Sequence, residues 1–331
     1  MPRPIVVAPD SFKGTFAAAV VADAIARGIE QEGVEAVRLP IADGGEGTMD
    51  ALVSVLGGEV RETTASDPLG RARDARFAIL PDGRTAIVET AEASGLSLVA
   101  EDERDARAAS TRGTGELIVA AVAAGAEHVV VTVGGSATTD GGAGALEALD
   151  AAGVVPRLTV VCDVSVAFED APRVFGPQKG ADPAMVAELE ARLDEIARRA
   201  PRDPRGVAMT GCAGGLSGGL WAFREADLVP GAAYVLDALR FDAAAGGAAL
   251  VITGEGALDE QTFAGKAVGE VAARCARLGV RCEAVVGRSR LSDARARDLG
   301  VAGVHEASTL DELRAAGARL ARLAERVGAQ S

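Results

Sequence analysis

Three times along this chain a short, almost wholly apolar run gives way to a glycine-rich loop and then to a helical pattern. Residues 5–8 lead into the loop 9–15 and an Ala/Val/Ile-rich helix to about Ile29. Residues 129–133 lead into Gly134-Gly135-Ser136-Ala137-Thr138-Thr139-Asp140-Gly141-Gly142 and a helix to about Ala152. Residues 249–252 lead into 253–264 and a helix from about Gly265 to Leu278. A strand that is apolar at every position is covered on both faces, and alternation with helices makes the pairing parallel. The fold class is therefore α/β. In such sheets ligands sit at the carboxyl ends of strands. All three loops lie there, each ahead of a helix N-terminus.

Residues 59–98 have a different texture. Short alternating runs at 76–80 and 85–89 flank Pro81-Asp82-Gly83, a turn signal, and read as an antiparallel hairpin. Leu189, Leu193, Ile196 and Ala197 mark an amphipathic helix within 179–200, and residues 310–327 form another. A length of 331 residues suggests about two domains. The two textures interleave, so the expected division is discontinuous. A Rossmann-like domain takes 1–60, 113–165 and 246–331; a mixed α/β domain takes 61–112 and 166–245.

The net charge of −14 repels nucleic acid and anionic lipid. It also repels an anionic metabolite, so an anion site needs its own positive charge. Three lysines meet that need. Lys13, Lys179 and Lys266 each touch a glycine, and the rest of the 34 basic residues are arginines. Where arginine serves every ordinary surface position, a retained lysine suggests a place for a compact ammonium. Beside a glycine-exposed backbone it suits phosphate oxygens.

Cys162, Cys212, Cys275 and Cys282 lack metal-ligand spacing, which points to reduced thiols and a cytoplasmic location. With only His128 and His305, a histidine-based metal site or triad is not expected. Met1-Pro2-Arg3-Pro4 runs straight into a strand, so no signal peptide is expected, and no apolar run is long enough for a membrane span.

Neither the P-loop G-x-x-x-x-G-K-[ST] nor a strand followed by G-x-G-x-x-G is present. What remains is a set of acidic, glycine-rich loops. Asp10 shares one with Lys13. Asp43 and Glu46 lie in Ala42-Asp43-Gly44-Gly45-Glu46-Gly47-Thr48. Asp140 stands beside Gly141. Glu255, Asp259 and Glu260 precede Lys266. Glycine lets a ligand approach the backbone, and carboxylates hold Mg²⁺ or accept a hydroxyl proton. Lysines and helix N-termini stabilise phosphoryl oxygens. Together these are the parts of a phosphoryl-transfer site.

The same motifs resemble those of bacterial-type glycerate kinases. They stand as Ala8-Pro9-Asp10-Ser11-Phe12-Lys13-Gly14, residues 42–48, Asp67-Pro68-Leu69-Gly70, Gly113-Thr114-Gly115-Glu116, Gly134-Gly135-Ser136-Ala137-Thr138 with Asp140-Gly141-Gly142, Val174-Phe175-Gly176-Pro177-Gln178-Lys179-Gly180, and Gly254-Glu255-Gly256 with Asp259, Gln261-Thr262 and Gly265-Lys266. They occur in the family's order over nearly the whole chain.

The resemblance implies one Rossmann-like and one mixed α/β domain with the active site in the cleft between them. It also implies MgATP and D-glycerate as ligands. On this reading Lys13 and Lys266 contact the transferring phosphoryl group, and Asp43 or Asp140 serves as base or orienter. Glu255 and Asp259 hold Mg²⁺. Ser11, Gly44, Gly45, Glu46, Arg112, Gly134, Gly135, Ser136 and Lys179 surround substrate or phosphate. No nucleic-acid or membrane partner is implied, and a homodimer is left open. The chain departs from the family pattern at Thr139, where Asn is usual, and at Ala257, where Arg is usual. The segment at 153–158 is also short. These departures leave two alternatives open: a non-catalytic binding or regulatory protein, and a kinase for a different hydroxy acid.

Overall fold

A computed structural model describes residues 3–260, 262 and 266–328. The chain forms two compact units. One takes Met1–Asp43, Asp50–Val55 and Ala232–Ser331; the other takes Gly44–Met49 and Leu56–Gly231.

The first unit is built on a five-stranded, wholly parallel sheet. Its order is Val304–Glu306, Cys282–Val286, Leu250–Gly254, Ile5–Pro9, Ala36–Arg38. The central strands are buried along their whole length, which explains their largely apolar sequence; the charged exception, Glu283, is paired with Arg281 and His305. Helix Ala18–Gln31 covers this sheet together with Leu310–Gly328. Val21, Ile25 and Ile29 meet Leu313, Ala316 and Leu320 in one core. The two helices approach at glycines: a Cβ on Gly28 would lie 1.9 Å from the Arg314 carbonyl oxygen, and one on Gly317 2.1 Å from that of Ile25. Small residues at these positions set the interhelical distance.

The second unit carries a mixed six-stranded sheet. Glu59–Ser66, Ala72–Ile79 and Thr85–Glu89 form an antiparallel meander. His128–Thr132, Arg157–Cys162 and Asp227–Pro230 continue it in parallel. The hairpin turn forms as its sequence suggests, with Asp82 accepting from the Arg84 and Thr85 amides at 2.9 Å. Helices Arg112–Ala123 and Ala143–Ala152 pack beside this sheet, placing Leu117, Ile118 and Leu149 in its core.

Sheet membership differs from the sequence grouping at one large segment. Residues 113–165 were expected with the Rossmann-like sheet, yet both of their strands join the mixed one. The reason is Thr85–Glu89, which pairs antiparallel along one edge and parallel to His128–Thr132 along the other. Residues 44–49 and 56–60 also fall in the second unit, and 232–245 in the first.

Candidate active site

In the first unit the carboxyl ends of three strands open into a cavity of about 540 Å³. Strand Ile5–Pro9 ends at Asp10, whose amide donates to the Gly254 carbonyl at 2.8 Å. Beyond the neighbouring strand, the Ile41 amide still bonds the Pro9 carbonyl at 2.9 Å. That bond carries the chain to Asp43 on the same side. From the third strand Glu255 enters the cavity, its Oε1 accepting from the Thr262 hydroxyl at 2.7 Å. Lys13, Asp259, Lys266 and Arg288 add further lining charges, and Ser11 lines the same cavity.

Lys266 occupies the N-cap position of helix Ala267–Leu278 and makes no side-chain cap bond. A cation there opposes the helix dipole, so helix stability does not explain it. An ammonium at a helix N-terminus does attract an anion.

The electrostatics are set by crowding. Burial, with the Asp43 carboxylate adding to it, pushes Asp10 up to about 7. The Ser11 amide, at 2.6 Å from Asp10 Oδ1, and the Lys13 ammonium pull the other way. Burial also raises Glu255 above the usual carboxylate range, against the Thr262 hydrogen bond and Lys266. These carboxylates gain from a cation in their midst.

In the second unit a smaller cavity of about 80 Å³ lies at the carboxyl ends of His128–Thr132 and Arg157–Cys162. Gly134, Gly135, Ser136, Asp163 and Lys179 line it. Lys179 is 2 % exposed and donates to Ser136 Oγ at 3.1 Å and the Thr138 carbonyl at 2.6 Å. Burial depresses its ammonium to about 8, while Asp140 and Asp163 favour the charge. Gly44 and Gly45 serve as backbone support. A Cβ on Gly134 would sit 2.4 Å from Gly45 Cα, and Gly44 has φ of +95°.

Three of the sequence candidates are placed elsewhere. Asp140 is buried, with Oδ2 accepting from the Thr111 amide and hydroxyl, both at 2.8 Å, and from the Gly144 amide at 3.2 Å. Its Oδ1 takes the Gly142 amide at 3.1 Å. With its lone pairs committed to starting helix Ala143–Ala152, it has no capacity left for a substrate proton. Arg112 pairs with Glu116 four residues on, at 3.0 Å, and lines neither cavity. Glu46 is exposed and lines neither cavity.

Asp10, Asp163 and Arg288 line the cavities without having been assigned roles from sequence. Asp10 and Asp163 each follow a buried strand, a signal that was legible. Gln261 and Gly265 of the last motif lie outside the described residues.

Among the described residues no three His, Cys, Asp or Glu side chains form a ready metal cage. Mg²⁺ does not require one, since it takes one or two carboxylates plus substrate phosphates and water. Glu255 and Asp259 supply that donor chemistry on the cavity wall.

An acidic, lysine-bearing cavity at the carboxyl ends of a parallel sheet lies where α/β enzymes bind their ligands. A model of the glycerate kinase family matches residues 5–155 and 150–330. The chain is 40 % identical over 301 residues to glycerate 2-kinase of Escherichia coli K12, covering 79 % of each. It is 41 % identical over 304 residues to glycerate kinase of Bacillus subtilis 168, again covering 79 % of each. A crystal structure from Salmonella typhimurium LT2, provisionally named glycerate kinase 2, superposes with a TM-score of 0.87 at 33 % identity over 100 % of both chains. The chain belongs to the glycerate kinase family.

Proposed function

We propose that this enzyme transfers the γ-phosphoryl group of ATP to D-glycerate and releases 2-phosphoglycerate. The observation that carries the reading is the larger cavity, where Lys13 and Lys266 share one wall system with Asp10, Asp43, Glu255 and Asp259. Phosphoryl transfer asks for little besides positioning and charge stabilisation, and this cavity holds both signs of charge. The name of the Escherichia coli relative supports the 2-phosphate product.

In this reading Lys13, Lys266 and the amides opening helix Ala267–Leu278 hold the phosphoryl oxygens. Glu255 and Asp259 would hold Mg²⁺, which would supply charge neutralisation for the phosphate chain. Asp43 orients the attacking hydroxyl, and Asp10 beside it has the proton affinity to accept its proton near neutral pH. In the second unit's small cavity Lys179, with Ser136, offers a place for a carboxylate group. A buried ammonium gains much from a carboxylate partner.

Among the described residues no helix is long and apolar enough to cross a membrane. The four cysteines are free, buried thiols, which fits a cytoplasmic enzyme acting on soluble metabolites.

The test is an ADP-release assay with MgATP and D-glycerate, followed by phosphorus NMR of the product. Turnover with a 2-phosphoglycerate signal is expected. Absence of turnover from folded protein that binds ATP would refute the assignment.

A further inference from the structure

Strand Cys282–Val286 runs through Gly287 into the two-residue strand Arg288–Ser289. That strand pairs in parallel with Ala257–Leu258, and the register sets Arg288 directly against Ala257. The backbone is tied to the loop that carries Glu255. The Gly287 amide donates to the Glu255 carbonyl at 3.1 Å and the Arg288 amide to the Gly256 carbonyl at 3.2 Å. Gly287 permits this approach, since a Cβ there would lie 2.6 Å from the Gly256 carbonyl oxygen.

Register partners in a sheet direct their side chains to the same face. Ala257 and Arg288 both border the 540 Å³ cavity. Ala257 is a methyl group and leaves the space above it to its neighbour. Many arginines of this chain are held by carboxylates, such as Arg71 by Asp67 and Arg274 by Asp237. The Arg288 guanidinium has no hydrogen-bond or ion-pair partner among the described residues, although Asp10, Asp43, Glu255 and Asp259 border the same cavity. Its ordered backbone and unengaged donors suit a ligand's oxygens rather than a structural ion pair. A planar guanidinium can meet two phosphate oxygens at once, which an ammonium cannot.

We propose that Arg288 is the third cation of this site and grips the phosphate chain of the nucleotide from the position beside Ala257. The proposal rests on the reading of the cavity as the nucleotide site of a kinase.

Calorimetric titration with MgADP and steady-state kinetics on the full chain test it, using wild type, Arg288→Ala and the double variant Ala257→Arg/Arg288→Ala. Arg288→Ala should weaken MgADP binding and raise the KM for ATP by about 10-fold, the scale of one charged hydrogen bond. The KM for glycerate and the thermal midpoint should stay at their wild-type values. A guanidinium returned from position 257 should recover most of the nucleotide affinity, because it enters the same space. Wild-type affinity in Arg288→Ala overturns the proposal alone. Equal losses in glycerate KM and thermal midpoint show a structural role and also overturn it. Wild-type protein that takes no MgADP overturns the kinase reading, and this proposal with it.

Discussion

Asp10→Asn should make the protein more stable and less active, with a pH dependence that identifies the cause. The folded protein raises this carboxyl from 3.8 to about 7, mainly by burial and then by the Asp43 charge. A group whose proton affinity is higher in the folded state contributes stability that is whole below the unfolded pKa and lost as pH rises through the folded one. Wild type should therefore lose stability between about pH 4 and pH 7, and no further above that. The shift of about 3 units at 1.36 kcal/mol each sets a ceiling of about 4 kcal/mol. Relaxation of the neighbouring charges should reduce the observed value to about 2 kcal/mol. Asparagine keeps the shape and the Ser11 contact but cannot ionise. The variant should match wild type near pH 4 and exceed it by about 4–8 °C in thermal midpoint at pH 8. Turnover at pH 8 should fall at the same time. Thermal scans of both proteins from pH 4 to pH 9 decide the matter. A difference independent of pH, or one favouring wild type at pH 8, would refute the account of Asp10 as a strained, buried acid.

Lys13→Ala should lower turnover by about 10²–10³ while the circular dichroism spectrum is retained, because it removes one preorganised charge; unchanged turnover sinks its assignment. Lys179→Met should raise the KM for glycerate and leave that for ATP near wild type. Because burial lowers Lys179 from 10.5 to about 8, wild type recovers stability as pH rises from about 8 towards 10.5. The stability gap to the methionine variant should then narrow over that window in urea titrations, and a widening gap contradicts it. Asp140→Ala should cost about 3 kcal/mol or more of stability, since it strands the Thr111 hydroxyl and three amides that donate to this carboxylate. A variant that lost turnover with an unshifted urea midpoint would return Asp140 to the chemistry.

The strands were legible because their physics is local. Ile5–Pro9, His128–Thr132 and Leu250–Gly254 are buried from end to end or nearly so, and a run dominated by apolar residues satisfies that. Which sheet a buried run joins is a different matter. His128–Thr132 would pack equally well in either sheet on its sequence. Its membership follows from Thr85–Glu89, more than 30 residues earlier, which offers it a parallel edge. The site divides in the same way. Asp10 and Asp140 look alike in sequence, each an acid after a buried strand and beside small residues. Asp140 is satisfied by Thr111, 29 residues upstream, and becomes a helix anchor. Asp10 is buried, next to a second carboxylate, Asp43, and becomes an acid with a displaced proton affinity. Position 257 extends the argument. The sequence shows an alanine where the family resemblance calls for an arginine, which reads as a lost cation. The strand register sets Arg288 against that alanine, 31 residues later and on the wall of the same cavity. A charge missing from one strand is thus present on its neighbour, and only the pairing reveals that the two positions are one place.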